Sequence, residues 1–175
     1  MEEKRRSKGK KVNVAVASTD DPAYDLLGQE LEASHPELVG AGIALVWRFG
    51  WRPDADGRLT LGQARRCSDP ERLMHGTDFL ILLNSEAWHG FDERQRRALL
   101  DHELSHCAPA LDDGGEQGED EEGRPVWRTR GHDAEEFVDV VKRHGLWRSD
   151  LERLAAAAMK SQQGAKEIDD EGQGG

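Results

Sequence analysis

His102, Glu103 and His106 stand in the run Leu99-Leu100-Asp101-His102-Glu103-Leu104-Ser105-His106-Cys107, and their types and spacing suit chemistry at a metal ion. On an α-helix, positions i and i+4 lie one above the other on one face, so the two imidazoles can point at a single ion. Glu103 sits about 100° round the helix from His102. From there it can reach a water on the ion without being a ligand itself, which is where a general base belongs. A catalytic zinc takes three protein ligands and leaves a fourth position for water, whose pKa then falls to roughly 7. The pattern thus supplies two ligands and a base, and one ligand must come from elsewhere in the chain.

This chemistry needs a helix, and the flanking residues provide for one. Asp92 can cap its N-terminus, with Gln95 at the capping-box position three residues on, and residues 93–107 contain no Gly or Pro. Leu100, Leu104 and Cys107 form a stripe suited to burial, beside the face that carries the histidines. The alternative is a surface helix with two solvated histidines. The cap, the uninterrupted run and the apolar stripe together favour the metal site. Cys107 adjoins the second histidine, but neighbouring helix positions point in different directions, so it is expected in the core. Cys67 and Cys107 are both expected as free thiols.

The elements that must position this helix follow from hydrophobic periodicity. An ambiguous apolar run over 12–17 precedes a helix begun by Asp21-Pro22 and ended before Pro36. Ile43, Leu45, Trp47 and Phe49 alternate as in a strand. Residues 53–57 are dense in turn formers, and 58–64 follow as a partner strand, so the pair is expected as a hairpin. Asp54, Asp56 and Gly57 lack the remaining ligands of a calcium loop. Residues 78–84 read as a strand buried on both faces, placed to form a meander sheet against the motif helix and, if one edge is free, to align an extended substrate. His75 and His89 flank that strand in loop-like sequence and are not chosen as ligands. The acidic run 112–123 reads as a solvated, flexible loop. Beyond it, Asp133 and Glu136 form a second capping box, Phe137, Val140, Val141 and His144 an inward stripe, and Gly145 a helix stop. A last helix is expected over 149–159.

The chain has 175 residues, 36% of them hydrophobic, with five Trp. That suits one compact body over 12–159 with tails at 1–11 and 160–175, both expected to be disordered. Mean hydropathy is -0.79, and no apolar run approaches the roughly 20 residues of a membrane span. No secretory signal is visible in the sequence, so a cytoplasmic location is expected. A net charge of -11 disfavours general nucleic-acid binding by the body. The exception is the basic cluster Lys4, Arg5, Arg6, Lys8, Lys10 and Lys11, which could make weak nucleic-acid contacts; a solubilising tail is the simpler reading.

Leu80-Ile81-Leu82-Leu83-Asn84, the run 98–107, His132-Asp133-Ala134-Glu135-Glu136-Phe137 and Arg143-His144-Gly145-Leu146-Trp147 together resemble the phage metallopeptidase family, over about residues 24–154. More distantly the chain is similar to SprT-like zinc proteases. Their motif helix is followed by a His just ahead of a helix with an aromatic residue four positions on, whereas Phe137 stands five positions after His132. The resemblance implies His132 as third ligand to Zn2+. A gluzincin arrangement, with a Glu on the following helix, implies Glu136 or Glu135 instead, and Asp133 is a further alternative. Asp101 is a candidate to orient a ligand histidine, or simply a solvated carboxylate.

The fold class expected is α+β, a small, mostly antiparallel three- to four-stranded sheet packed against the motif helix and further helices, as in a minimal zincin. The function expected is zinc-dependent hydrolysis of a peptide or protein substrate, with Glu103 moving a proton from water to the leaving amine. A non-catalytic, metal-stabilised protein-binding module competes with it, as does a protease acting on DNA-bound proteins. For a phage or prophage product the location implied is the cytoplasm of the bacterial host.

Overall fold

The computed structural model describes residues 13–135 and 138–171, side chains of 139 and 163–171 excepted. Two compact units divide between Arg130 and Gly131. The first holds strands β1 (Val14–Val16), β2 (Ile43–Arg48), β3 (Gly62–Arg66), β4 (Phe79–Asn84), β5 (Cys107–Pro109) and β6 (Trp127–Thr129), with helices α1 (Pro22–Ser34), α2 (Asp69–His75), α3 (Ser85–Gly90) and α4 (Glu93–Ser105). The second holds α5 (Val138–His144) and α6 (Ser149–Glu171). The class is α+β, and no helix among the described residues is long and apolar enough to cross a membrane.

Four strands form one sheet in the order β1-β2-β4-β3, with β1/β2 and β3/β4 antiparallel and β2/β4 parallel. The sheet is therefore not a meander, and β2 and β3 do not form the expected hairpin. Residues 53–57 do turn the chain, with Asp54 Oδ1 accepting from the N–H groups of Asp56 and Arg58, both at 2.9 Å. Past that turn the strand pairs with β4, Gly62 opposite Leu83 and Ala64 opposite Ile81. The pairing follows from burial. The apolar strands β2 and β4 lie side by side in register, Leu45 against Ile81, while Gln63, Arg65 and Arg66 of β3 are exposed and suit the end of a sheet. Phe79, Ile81 and Leu83 have no exposed surface and share one face.

Against the sheet lie α1 and α4, meeting it through Leu27, Leu38, Leu45, Leu100 and Leu104. Asp21 caps α1 as expected, accepting from Ala23 N–H at 3.0 Å ahead of Pro22. Two polar links tie α1 to α4. Buried Glu30 accepts from Arg97 Nη1 at 2.9 Å, and Arg97 also donates to Glu93 and Gln29. At the end of α1, buried His35 meets Asp101 through Nε2 at 2.8 Å and Glu37 through Nδ1 at 3.3 Å. Together these links fix the position of α4 against α1 and, through the shared core, against the sheet.

Helices α2 and α3 are short and show too little periodicity to be expected from the sequence. Ser68 and Glu71 form a capping box on α2, and Asn84 accepts from Ala87 N–H at 3.1 Å to start α3. Cys67 and Cys107 are buried free thiols. The acidic run 112–123 is folded into two Asp-centred turns. Asp112 Oδ1 accepts from Gly114 and Glu116 N–H, and Asp120 Oδ1 from Glu122 and Arg124 N–H. In the second unit α5 ends at Gly145, whose φ of 69° and N–H bond to Val141 O close the helix in the expected way. Asp133–Glu135 are not helical, and the remainder of the expected capping box, Glu136, lies outside the described residues together with Phe137 and the basic cluster of 1–11. The last helix continues past Met159 to Glu171.

Candidate metal centre and catalytic site

Both motif histidines and the candidate base come from α4. Its start is the expected capping box, with Asp92 Oδ1 accepting from Gln95 N–H at 2.8 Å and Gln95 Oε1 accepting from Asp92 N–H at 3.0 Å. The stripe Leu100, Leu104 and Cys107 is buried as expected and sets the rotation of the helix. The helix ends at Ser105. His106 is its C-cap but keeps helical torsions, φ -77° and ψ -15°, so its i+4 relation to His102 survives. The two imidazole centroids lie 5.0 Å apart with planes at 85°.

The chain then leaves His106 directly into the two-stranded ribbon of β5 and β6. One residue beyond the ribbon, Arg130 closes on His106 from both sides. Arg130 N–H donates to His106 O at 2.9 Å, and Arg130 O lies 2.8 Å from His106 Nδ1. A carbonyl oxygen only accepts, so Nδ1 carries the hydrogen and Nε2 is the nitrogen with the lone pair, the tautomer of a histidine that binds a metal through Nε2.

Glu103 is 3% exposed. It lies against Gly62, the first residue of β3, so closely that a Cβ there would stand 2.5 Å from its Oε1. An isolated glycine in a strand pattern can signal such an approach, and Gly62 between Leu61 and Gln63 is one. Beside it a cleft of about 470 Å³ runs between the start of β3 and one face of α4, ending at His102 and Glu103. Cys107 takes no part. Burial, helped by the nearby Glu103 carboxylate, pushes its thiol up to about 12, and Sγ points to Glu103 O at 3.7 Å. Asp101, a candidate to orient a motif histidine, is bonded to buried His35, its Oδ1 2.8 Å from Nε2. His89 donates from Nδ1 to Ser85 O within α3, and His75 is an exposed residue of α2.

In the second unit His132 is exposed, with Nδ1 3.0 Å from Glu135 Oε1. The carboxylate fixes that nitrogen as the hydrogen-bearing one and Nε2 as the lone-pair one, the same state that Arg130 imposes on His106. Glu135 is thereby engaged with a histidine, and Asp133 is exposed. Neither the Arg130 carbonyl nor Gly62 is identified by the motif itself.

A family model described as "Putative phage metallopeptidase" matches residues 16–159, well over half of the chain. The chain belongs to this family. No curated protein and no solved structure matches it. Membership of the phage metallopeptidase family implies a metal ion and a peptide or protein substrate. The donors present in this chain fit such an ion. Imidazole nitrogens suit zinc and other late divalent metals, and an acidic side chain of the motif lies beside them, held against the sheet.

Proposed function

We propose that the protein is a zinc-dependent peptidase in which His102, His106 and His132 hold the ion and Glu103 is the general base. The observation that carries the proposal is the buried Glu103 carboxylate seated under Gly62, lining the same cleft as His102. When bound, zinc supplies Lewis acidity, polarising the scissile carbonyl and making water a nucleophile at neutral pH.

The remaining work falls to this chain. Glu103 takes one proton from the attacking water as the new C–O bond forms, and delivers it to the amine nitrogen as the C–N bond breaks, which returns the carboxylate to its starting state. Burial under β3 restricts the carboxylate's motion and shields it from bulk water. Support for His132 comes from the chain path. Arg130 is pinned to His106 by two hydrogen bonds, and two further residues span at most about 7 Å. Glu135 on Nδ1 leaves Nε2 as the donor nitrogen. Both edges of β4 are taken by β2 and β3, so that strand cannot align a substrate. Alignment passes to β3, the end strand, which begins above Glu103.

Glu103→Gln tests the mechanism. The variant is expected to keep its zinc, measured by elemental analysis, and to lose roughly 10²- to 10⁴-fold in kcat on a quenched fluorogenic peptide. Zinc retained with hydrolysis unchanged would refute it.

A further inference from the structure

The cleft beside Glu103 has a chemistry of its own. One wall is a single stripe of α4 and its approach: Phe91, Gln95, Ala98 and Leu99 lead along the helix to His102. Leu61 and Gly62 form the facing wall. Gln95 is the one polar residue ahead of the site, and its Oε1 is already committed to the Asp92 N–H. Among the described residues, the charged side chains that line the space are those of the motif. An acidic guest would lose hydration there and face the Glu103 carboxylate, whereas an apolar one would exchange water for Leu61, Phe91 and Leu99. At about 470 Å³ the cleft falls within the usual range for binding pockets.

We propose that this cleft is the specificity pocket, taking an uncharged, bulky apolar side chain of the substrate residue next to the scissile bond, with Ala98 setting the room available. The proposal rests on the peptidase reading for its link to cleavage. Because His102 and Glu103 line the same space, and successive residues of an extended peptide advance only about 3.3 Å, the occupant must belong to a residue flanking the reacting carbonyl. Gly62 also leaves room, but any side chain there strikes Glu103. Ala98 is exposed on the helix face, remote from the buried stripe Leu100 and Leu104, so it is the position where pocket size can change without disturbing the base.

Two measurements on the full chain test this. The first titrates ¹⁵N-labelled protein, zinc-loaded and chelator-treated, with N-acetyl-leucinamide, N-acetyl-phenylalaninamide and N-acetyl-aspartamide. The two apolar probes are expected to shift the backbone amides of Gly62, Gln95, Ala98 and Leu99 with saturation, and the acidic probe is not. The second compares kcat/KM for quenched peptides that differ only beside the scissile bond. Phe or Leu is expected to exceed Asp or Gly by at least roughly tenfold, and Ala98→Phe to collapse that ratio and weaken the probe shifts. Leu61→Asn should lower the same ratio by making the facing wall polar, which covers the case of a misfolded Ala98→Phe. Shifts that are absent from these amides or equal for the acidic probe, or a ratio that neither variant alters, would overturn the pocket. Cleavage without side-chain preference removes the pocket and leaves the peptidase. Apolar probes bound at these amides, with no peptide cleaved by the zinc-loaded protein, support the pocket and remove the peptidase.

Discussion

Replacing Gly62 by alanine should damage catalysis while leaving the fold nearly intact. The backbone at Gly62 is outside the left-handed region, so alanine can adopt it. The difficulty is in front of the new methyl group. It would stand 2.5 Å from Glu103 Oε1, 2.8 Å from Cδ and 2.9 Å from Cγ, whereas ordinary contact begins at 3.4 Å. The carboxylate oxygen must therefore withdraw by about 0.9 Å, the difference between those separations. Two stability effects then oppose each other. Swinging Glu103 off its rotamer costs of order 0.5–1.5 kcal/mol, and Gly→Ala recovers about 0.4–1 kcal/mol by restricting the unfolded chain. The net change in unfolding free energy should stay within about 1 kcal/mol.

Activity has no such compensation, because a misplacement of about 1 Å in a reacting group costs on the order of 10²-fold, or about 2.7 kcal/mol of transition-state stabilisation. The assay is steady-state kcat for Gly62→Ala on a fluorogenic peptide, with thermal unfolding and zinc content measured on the same sample. A large fall in kcat with stability and zinc preserved is expected. Full activity in a protein that is as stable and as zinc-loaded as the parent would refute the claim that the Glu103 carboxylate works from its seat under β3.

Two further outcomes follow from contacts away from the reacting centre. Asp101→Ala removes the partner of buried His35 at Nε2 and should cost about 1–3 kcal/mol in denaturant unfolding with zinc content unchanged; loss of zinc would instead make Asp101 an orienting residue of the metal site. Glu71, held by the Arg65 guanidinium and by Ser68, has its carboxyl lowered to about 2 from 4.5. A folded-state value below the unfolded one means that its contribution to stability is present above about 4.5 and is lost as pH falls toward 2. Carboxyl NMR should show that low titration in the parent and a return toward 4.5 in Arg65→Gln; titration near 4.5 in the parent would contradict the pairing.

What was legible in the sequence was local. The Asp92–Gln95 cap, the stripe Leu100–Leu104–Cys107 and the Asp21-Pro22 start of α1 are each set by residues within a few positions of one another, and each stands as expected. The buried strand 78–84 was legible because both of its faces are apolar. Its neighbours were not, since a turn at 53–57 fits a hairpin equally well whether the next strand pairs with β2 or crosses to β4. The choice depends on which edges are already taken, and that is a property of the whole sheet. Helix α2 starts at a Ser68–Glu71 capping box, but its seven residues show too little periodicity to stand out in the sequence. Asp101 carried no local mark of its partner, because His35 is 66 positions away.

The support of His106 shows a further limit on what a motif can reveal. The group that sets its tautomer is the Arg130 carbonyl, a backbone atom that every residue type possesses, so no side-chain identity at position 130 could have signalled it. For the same reason no simple side-chain substitution there removes it. What places the carbonyl is register: Cys107 faces Thr129 in the ribbon, which puts His106 opposite Arg130. A slip of one residue would take the carbonyl away from Nδ1 and reverse the faces of the ribbon. Trp127 opposes such a slip. It is 3% exposed and packs edge-on against Phe79 of β4 at 5.9 Å, so moving it would expose a large aromatic and open the core. The geometry of His106 is thus held by a buried tryptophan 21 positions further along the chain, acting through a backbone ladder on the carbonyl that meets His106 Nδ1.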